Sequence, residues 1–437
     1  MKTLIRVLLG LVVIGVVALA AFIFVPVQKT GPVTQLAGDF KPAEGAGEYM
    51  MRASDCMACH TAEGGKPFAG GRPIESPMGT IWSTNITPDK ETGIGEYTLD
   101  DFRAVLYDGI SKNGTHLYPA MPYENYRKLK EEDVVALYQY FMNDVDAVSN
   151  KVQPTELAFP FNMRFGIRAW NWVALGKAGF DPNEKDSDAF NRGAYLVEGA
   201  GHCAACHSPR NLIMAQSGHD ETSPEFLTGG EVDGFSVPDL RGPDSAPQKW
   251  DTEQLAAYLS TGRNAHSTAT GEMMLAVRDS LQYMTHEDNL AIATYLKTIS
   301  GGDKKADTAE TKPEVTETEK MLTEAKADMP LGPRLYLDNC NGCHFVNGKG
   351  APEIFPELDG NSLVTAKLPK GLLDVIFHGA ELPSTKDRPM KVRMQGYADR
   401  LSDEEAATLA TFLRQAWHND APAVTAADAK AARDAGH

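Results

Sequence analysis

The chain opens with Lys2 and Arg6 and then runs apolar from Val7 to Val27, interrupted only in shape by Gly10, Gly15 and Pro26. As a helix this run spans roughly 30 Å, the thickness of a hydrocarbon core. Ala18-Leu19-Ala20 resembles a signal-peptidase site, but Phe22 to Val25 stays apolar beyond it. The pattern therefore predicts an uncleaved anchor with its basic end in the cytoplasm and the rest of the chain across the membrane. Further on, regular periodicity is helical. Leu99, Phe102, Val105 and Leu106 mark one face over 99–108, and Val134, Val135, Leu137, Tyr138 and Phe141 mark another over 131–142. Amphipathic stretches at 250–259 and 285–299 add two more, the second opened by Thr285 and Asp288 at capping-box spacing. Ser402 and Glu405 open a last helix in the same way. Short helices are predicted at 47–52, 189–196 and 331–336. The Gly- and Pro-rich stretch from Gly64 to Gly95 reads as loop.

Composition places the boundaries. Residues 1–27 are the transmembrane anchor or signal, 28–43 a tether, 44–148 a first domain and 149–181 a connector. Phe159-Pro160-Phe161 and Trp170-Asn171-Trp172 give that connector an aromatic density suited to packing against a neighbouring domain or subunit. A second domain covers 182–300. Residues 301–329, rich in Lys, Asp, Glu, Thr and Pro, read as a flexible linker, followed by a third domain at 330–420 and a tail at 421–437 without evident chemistry.

Chemistry enters through one word used three times: Cys56-Met57-Ala58-Cys59-His60, Cys203-Ala204-Ala205-Cys206-His207 and Cys340-Asn341-Gly342-Cys343-His344. C-x-x-C-H is the attachment signal of c-type haem, in which two thiols take the two vinyl groups and the adjacent imidazole takes the iron. All six cysteines lie inside these words, so none remains for a disulfide or a free nucleophile. Zinc would need further ligands for each pair, and a thioredoxin-type pair does not call for the following His. Three covalent c-type haems are expected. Gly199 to Ala204 formally matches a dinucleotide fingerprint, but no strand precedes it and it overlaps the second word.

Each word sits in the same order of parts: helix, word, long loop, helix, Met, helix. The separations from His60 to Met121, His207 to Met273 and His344 to Met394 are about 50 to 66 residues. The repeat fits an all-α fold of three tandem cytochrome c domains after an N-terminal membrane helix. An iron that only relays electrons needs a sixth ligand. Met121, held in a loop between Pro119 and Pro122, is the candidate in the first unit, with Met78 and His116 as rivals. The second unit offers Met273, Met274 and His266, and the third Met394, Met390 and His378. No defensible site for oxidising an organic substrate is seen, so no catalytic residue is assigned. The formal charge of −17 argues against nucleic acid and against an anionic membrane surface as a main partner.

Several strings carry a family resemblance: Gly79 to Asp89 (GTIWSTNITPD), His116 to Tyr123 (HLYPAMPY), Thr261 to His266 (TGRNAH) and Leu401 to Glu405 (LSDEE). Over roughly 44–420 the chain resembles the triple-haem cytochrome c subunits of bacterial membrane-bound dehydrogenases acting on alcohol, gluconate, sorbitol or fructose, and some molybdenum-hydroxylase aldehyde dehydrogenases. In that family the second ligand follows a Gly-x-Met word and the third a Met-Pro-x-Phe word, which implies Met273 and Met394. Gln395 and Tyr397 stand where the family has Pro and Phe, so the third loop is expected to be less rigid. The resemblance implies a separate catalytic subunit carrying pyrroloquinoline quinone, flavin or molybdopterin, with ubiquinone or a terminal oxidase as acceptor. It implies an inner-membrane location with periplasmic haem domains. The competing readings are a multi-haem peroxidase-like enzyme, which needs an open iron, and a stand-alone cytochrome feeding an oxidase.

Overall fold

The structure is a computed structural model that describes residues 2–25, 27–301 and 315–435. Helix α1 (Lys2–Phe24) is, among the described residues, the one helix long and apolar enough to cross a membrane. Its large apolar side chains from Leu4 to Val17 are exposed on every side of the helix, as a lipid-facing helix requires. The helices of the body are α2 (Ala46–Ala53), α3 (Leu99–Asp108), α4 (Glu131–Asn143), α5 (Phe165–Ala174), α6 (Asp188–Tyr195), α7 (Thr252–Thr261), α8 (Gly271–Asp279), α9 (His286–Ile299), α10 (Glu317–Glu324), α11 (Leu331–Asn339), α12 (Lys370–His378), α13 (Asp403–Gln415) and α14 (Ala426–Ala435).

Three crossed helix pairs frame the three words: α2 on α4, α6 on α9, and α11 on α13. Each crossing is made at a glycine. A Cβ on Gly47 would lie 2.4 Å from the Ala136 carbonyl oxygen, one on Gly193 2.0 Å from that of Ala291, and one on Gly332 2.9 Å from Phe412 Cβ. The missing side chain lets two backbones approach as closely as these helices do. Between Gly193 and Cys203 the chain passes through a π-turn at Leu196–Ala200, a distortion that accommodates an inserted residue without ending the helix.

The loops between helices are pinned by short antiparallel pairings. Pro73–Ile74 pairs with Gly79–Trp82, which pairs in turn with Glu156–Leu157. Part of the stretch expected to be loop is thus a small sheet that also holds the connector. Gly230–Val232 pairs with Phe235–Val237, and Ala380–Glu381 with Arg393–Met394.

Buried apolar side chains form one core running from Met50 to Leu296 and a second from Leu322 to Ala432. The helices around the first two words therefore share a continuous interior. Buried polar pairs cross it: Asp288 accepts from Arg192 Nε at 2.8 Å and from the Tyr49 hydroxyl at 2.5 Å, and Lys128 meets Glu198 at 2.6 Å. The third core docks on this body through polar contacts, with Glu353 N donating to the Asn264 carbonyl and Glu357 N to that of His266.

Helix caps follow the sequence in part. Ser402 and Glu405 form a complete capping box, and so do Thr98 and Asp101. At α9, Thr285 caps the Asp288 amide, but the Asp288 carboxylate is held by Arg192 and Tyr49 instead of returning to Thr285. Three segments to which the sequence pattern assigned no helix contain one. The connector contains α5. Residues 302–314 of the expected linker lie outside the described residues, but its later part forms α10, capped by Thr316 and buried at Leu322. The tail forms α14, with Ala429 and Ala432 buried and Arg433 paired with Asp403.

The Gly193 contact sets a test. Gly193→Ala should lower the stability of the holoprotein by about 1 to 3 kcal/mol, because a backbone carbonyl cannot yield as a side chain can. Gly166→Ala on α5, with no atom within 4 Å of the added carbon, should leave it unchanged or slightly raised. Thermal melting of the two variants beside the parent measures both.

Candidate haem-attachment sites

Each word folds as a single short helical turn, over Cys56–His60, Ala204–His207 and Asn341–His344. A turn of helix places residues three and four apart on one side, so each imidazole follows directly on its thiol pair. The first two turns are entered through left-handed residues, Asp55 at φ 47° and His202 at φ 39°. The third is entered through Cys340 at φ −118°.

The same contact then recurs at all three histidines. Nδ1 lies 2.7 Å from the Thr84 carbonyl oxygen at His60, 2.9 Å from that of Pro238 at His207, and 3.0 Å from that of Pro356 at His344. A carbonyl oxygen only accepts, so Nδ1 carries the hydrogen and Nε2 carries the lone pair. Burial lowers the pKa of each ring against the opposite pull of the carbonyl. All three are therefore neutral at pH 7 with Nε2 free of the hydrogen. Thr84, Pro238 and Pro356 supply these contacts, and the residue pattern alone did not single them out. Two of the three are prolines in the loops after their words, a signal that lies in the sequence without marking which carbonyl turns inward.

Burial pushes the Cys56, Cys203 and Cys340 thiols up to about 12. Cys206 lies within electrostatic reach of Cys59, so the first two words are neighbours.

Met121 and Met273 pack against the same core as Cys56 and Cys203, and Met394 packs against the same core as Cys340. Their rivals are placed differently. Met390 is exposed, and His378 ends α12 at the surface. His266 stacks on Trp250 with ring centroids 5.9 Å apart, and its Nδ1 lies 3.2 Å from Glu357 of the third core. Met78 and Met274 are half-buried like the candidates, but Met121 and Met273, not they, pack against the core. His116 is buried, and its Nδ1 has no hydrogen-bond partner. Two thiols on one turn, an oriented neutral imidazole and a thioether on the same core form a donor set that fits a covalent haem.

The cytochrome c family model matches residues 330–417. The chain is 38% identical to the gluconate 2-dehydrogenase cytochrome c subunit of Pantoea cypripedii, over 89% of this chain and 88% of that one. It is 39% identical to the alcohol dehydrogenase (quinone), cytochrome c subunit, of Gluconacetobacter polyoxogenes, over 89% and 84%. The chain belongs to the family of dehydrogenase cytochrome c subunits. The fructose dehydrogenase cytochrome subunit of Gluconobacter japonicus is 34% identical over 92% of this chain and 84% of its own length. Covalently bound haem c and an electron-transfer role come with that membership.

In this dehydrogenase cytochrome c subunit the first two words are tied together by a reciprocal pair of arginines. Arg72 donates to the Ala58 carbonyl of the first word at 2.6 Å and reaches Glu272, the neighbour of Met273, at 3.4 Å. Arg210 donates to the Ala205 carbonyl of the second word at 2.6 Å and reaches Glu124, in the turn after Met121, at 3.4 Å. Each guanidinium thus caps its own word and grips the methionine segment of the other. Glu124 is the buried member. Burial pushes its carboxyl up to about 7, partly opposed by Arg210 and by the Gln216 amide that donates to it.

A carboxyl with a raised native pKa contributes stability that is complete below its unfolded value and lost as pH rises through the native one. Between pH 4.5 and about 7 the parent should therefore lose stability that Glu124→Gln keeps, on the order of 3 kcal/mol across the window. The difference between their melting temperatures should grow over that range and flatten above it. A difference that does not change with pH would assign no titration to Glu124.

Proposed function

We propose that this chain is the electron-transfer subunit of a membrane-bound dehydrogenase complex, built as three tandem cytochrome c domains that carry three c-type haems. The observation that supports it best is the threefold recurrence of an Nδ1-to-carbonyl contact behind a C-x-x-C-H turn. Cys56 and Cys59, Cys203 and Cys206, and Cys340 and Cys343 would hold the groups covalently. His60 with Met121, His207 with Met273, and His344 with Met394 would close the two faces of each iron. A haem so ligated supplies one-electron chemistry with little rearrangement between its redox states.

The chain's own residues account for the rest. The carbonyls of Thr84, Pro238 and Pro356 fix each imidazole's tautomer and orientation. Met121 between its prolines, Met273 on α8 and Met394 on its strand pair place a soft sulfur against the same core. The names of the relatives supply the complex: a gluconate, alcohol or fructose dehydrogenase, one of them quinone-linked. The donor would be a catalytic subunit carrying pyrroloquinoline quinone, flavin or molybdopterin, and the acceptor ubiquinone or a terminal oxidase. Helix α1 would anchor the chain in the inner membrane, with Lys2 and Arg6 on the cytoplasmic side and the haem domains in the periplasm.

The mature protein should show three added haem masses, and its reduced form should bind no carbon monoxide. Met273→Ala should open one position, giving carbon monoxide uptake at one haem of the three, read from the absorbance spectrum. Uptake by the parent would favour the peroxidase-like reading at that site. A tagged chain should retain a cofactor-bearing subunit in detergent extracts, and its recovery alone would favour the stand-alone cytochrome.

A further inference from the structure

The largest exposed apolar side chains of the body gather where α1 ends. Arg168 on α5 donates to the carbonyls of Phe22 and Val25 at 2.6 Å each, capping the C-terminus of the anchor with a cation. Phe22 and Trp172 meet edge to face at 5.3 Å. Helix α5 is therefore fixed at the depth where the anchor leaves the hydrocarbon. Trp172 is 67% and Val173 74% exposed on that helix, and Phe159 is 77% exposed in the turn before it.

A second segment joins the same face. Trp170 Nε1 donates to the Ile213 carbonyl at 2.8 Å, tying the loop 211–215 to α5. That loop is a preformed turn: Asn211 Oδ1 accepts from the amides of Ile213 and Ala215, and Met214 sits at φ 62°. Its tip presents Leu212 fully to the outside, with Ile213 and Met214 beside it. A rigid tip of three apolar residues in a soluble face would be a liability.

Charge separates the possible occupants. The chain carries 59 acidic residues against 42 basic ones, yet none of the acidic ones falls between Leu157 and Phe180, where Arg164 and Arg168 lie with Lys177, the last paired with Asp181 just beyond. The face is locally basic, aromatic and contiguous with the anchor's exit, which is the composition of a segment lying in a bilayer interface. We propose that α5 and the Leu212–Met214 tip are seated in the outer lipid interface, so that the body is held against the membrane at two points besides the anchor. This inference rests on the anchor reading of α1.

The test uses full-length holoprotein, whose native cysteines are consumed by haem, reconstituted at one molecule per vesicle in phosphatidylcholine–phosphatidylglycerol. Single-cysteine variants Leu212→Cys and Val173→Cys report the two segments, Ile14→Cys the anchor and Glu404→Cys exposed surface. Each is treated with a charged, membrane-impermeant maleimide after its haem spectrum has been checked. Leu212→Cys and Val173→Cys should react at least about tenfold more slowly than Glu404→Cys, with Ile14→Cys unreactive. If both react as fast as Glu404→Cys while Ile14→Cys stays protected, the interfacial seat is overturned and the anchor stands. Protection that appears only on adding a dehydrogenase catalytic subunit would overturn it in favour of a protein-docking face. A reactive Ile14→Cys would remove the anchor and the inference with it.

Discussion

An imidazole presents one nitrogen to a metal reliably only when its other nitrogen is held. In this chain the holding is done three times by a backbone carbonyl, and the carbonyl arrives from a loop far along the sequence: from Thr84 to His60, Pro238 to His207, and Pro356 to His344. That constraint explains the long Gly- and Pro-rich stretches after each word. A regular helix or sheet spends its carbonyls on its own ladder, whereas a loop can turn one inward. The small strand pairs keep those loops in place at little cost in length. The helix pairs behind them, crossed at Gly47, Gly193 and Gly332, give a floor on which turn and loop meet.

Much of this was readable in advance because the signals are local. The words are defined by spacing within five residues, and the faces of α3 and α4 by a period of 3.6. Ser402 with Glu405 closes a capping box because nothing nearby competes for the glutamate. Thr285 with Asp288 has the same spacing, yet its aspartate is taken by Arg192 and Tyr49, residues distant in sequence. A local rule fails there because a guanidinium is a stronger partner for a carboxylate than a backbone amide.

The missed elements share a cause. Helix α10 comes from a charged stretch and α14 from an alanine-rich tail, and neither has a hydrophobic face wide enough to register as core. They are stable because a few small side chains, Leu322, Ala429 and Ala432, find a surface already built by α11 to α13. Helix α5 was obscured for the opposite reason. Its aromatic residues read as a surface for a neighbouring domain or subunit, while in the structure Ile167 is buried and Trp172 and Val173 face outward near the end of α1. Which carbonyl turns inward, and which aromatic turns outward, are properties of the assembled chain, and no window of sequence contains them.

The two kinds of junction in the body differ in what it takes to open them. Between the first two words, Lys128–Glu198, Tyr49–Asp288 and Tyr195–Asp133 cross a shared apolar interior, and Arg72 and Arg210 each bridge to the other unit. Separating those units would expose the interior and strand partly buried charges, and stranding one such charge alone costs several kcal/mol. The third core meets the second through polar contacts with no shared apolar core: the Lys370 ammonium on the Asp233 carbonyl, the Lys386 amide on Gln282, His266 beside Glu357, and the Glu353 amide on the carbonyl of buried Asn264. Water replaces the exposed ones at small net cost. The first two attachment words are thus held at one fixed separation by buried chemistry, and any adjustment of spacing along the chain falls at the junction to the third.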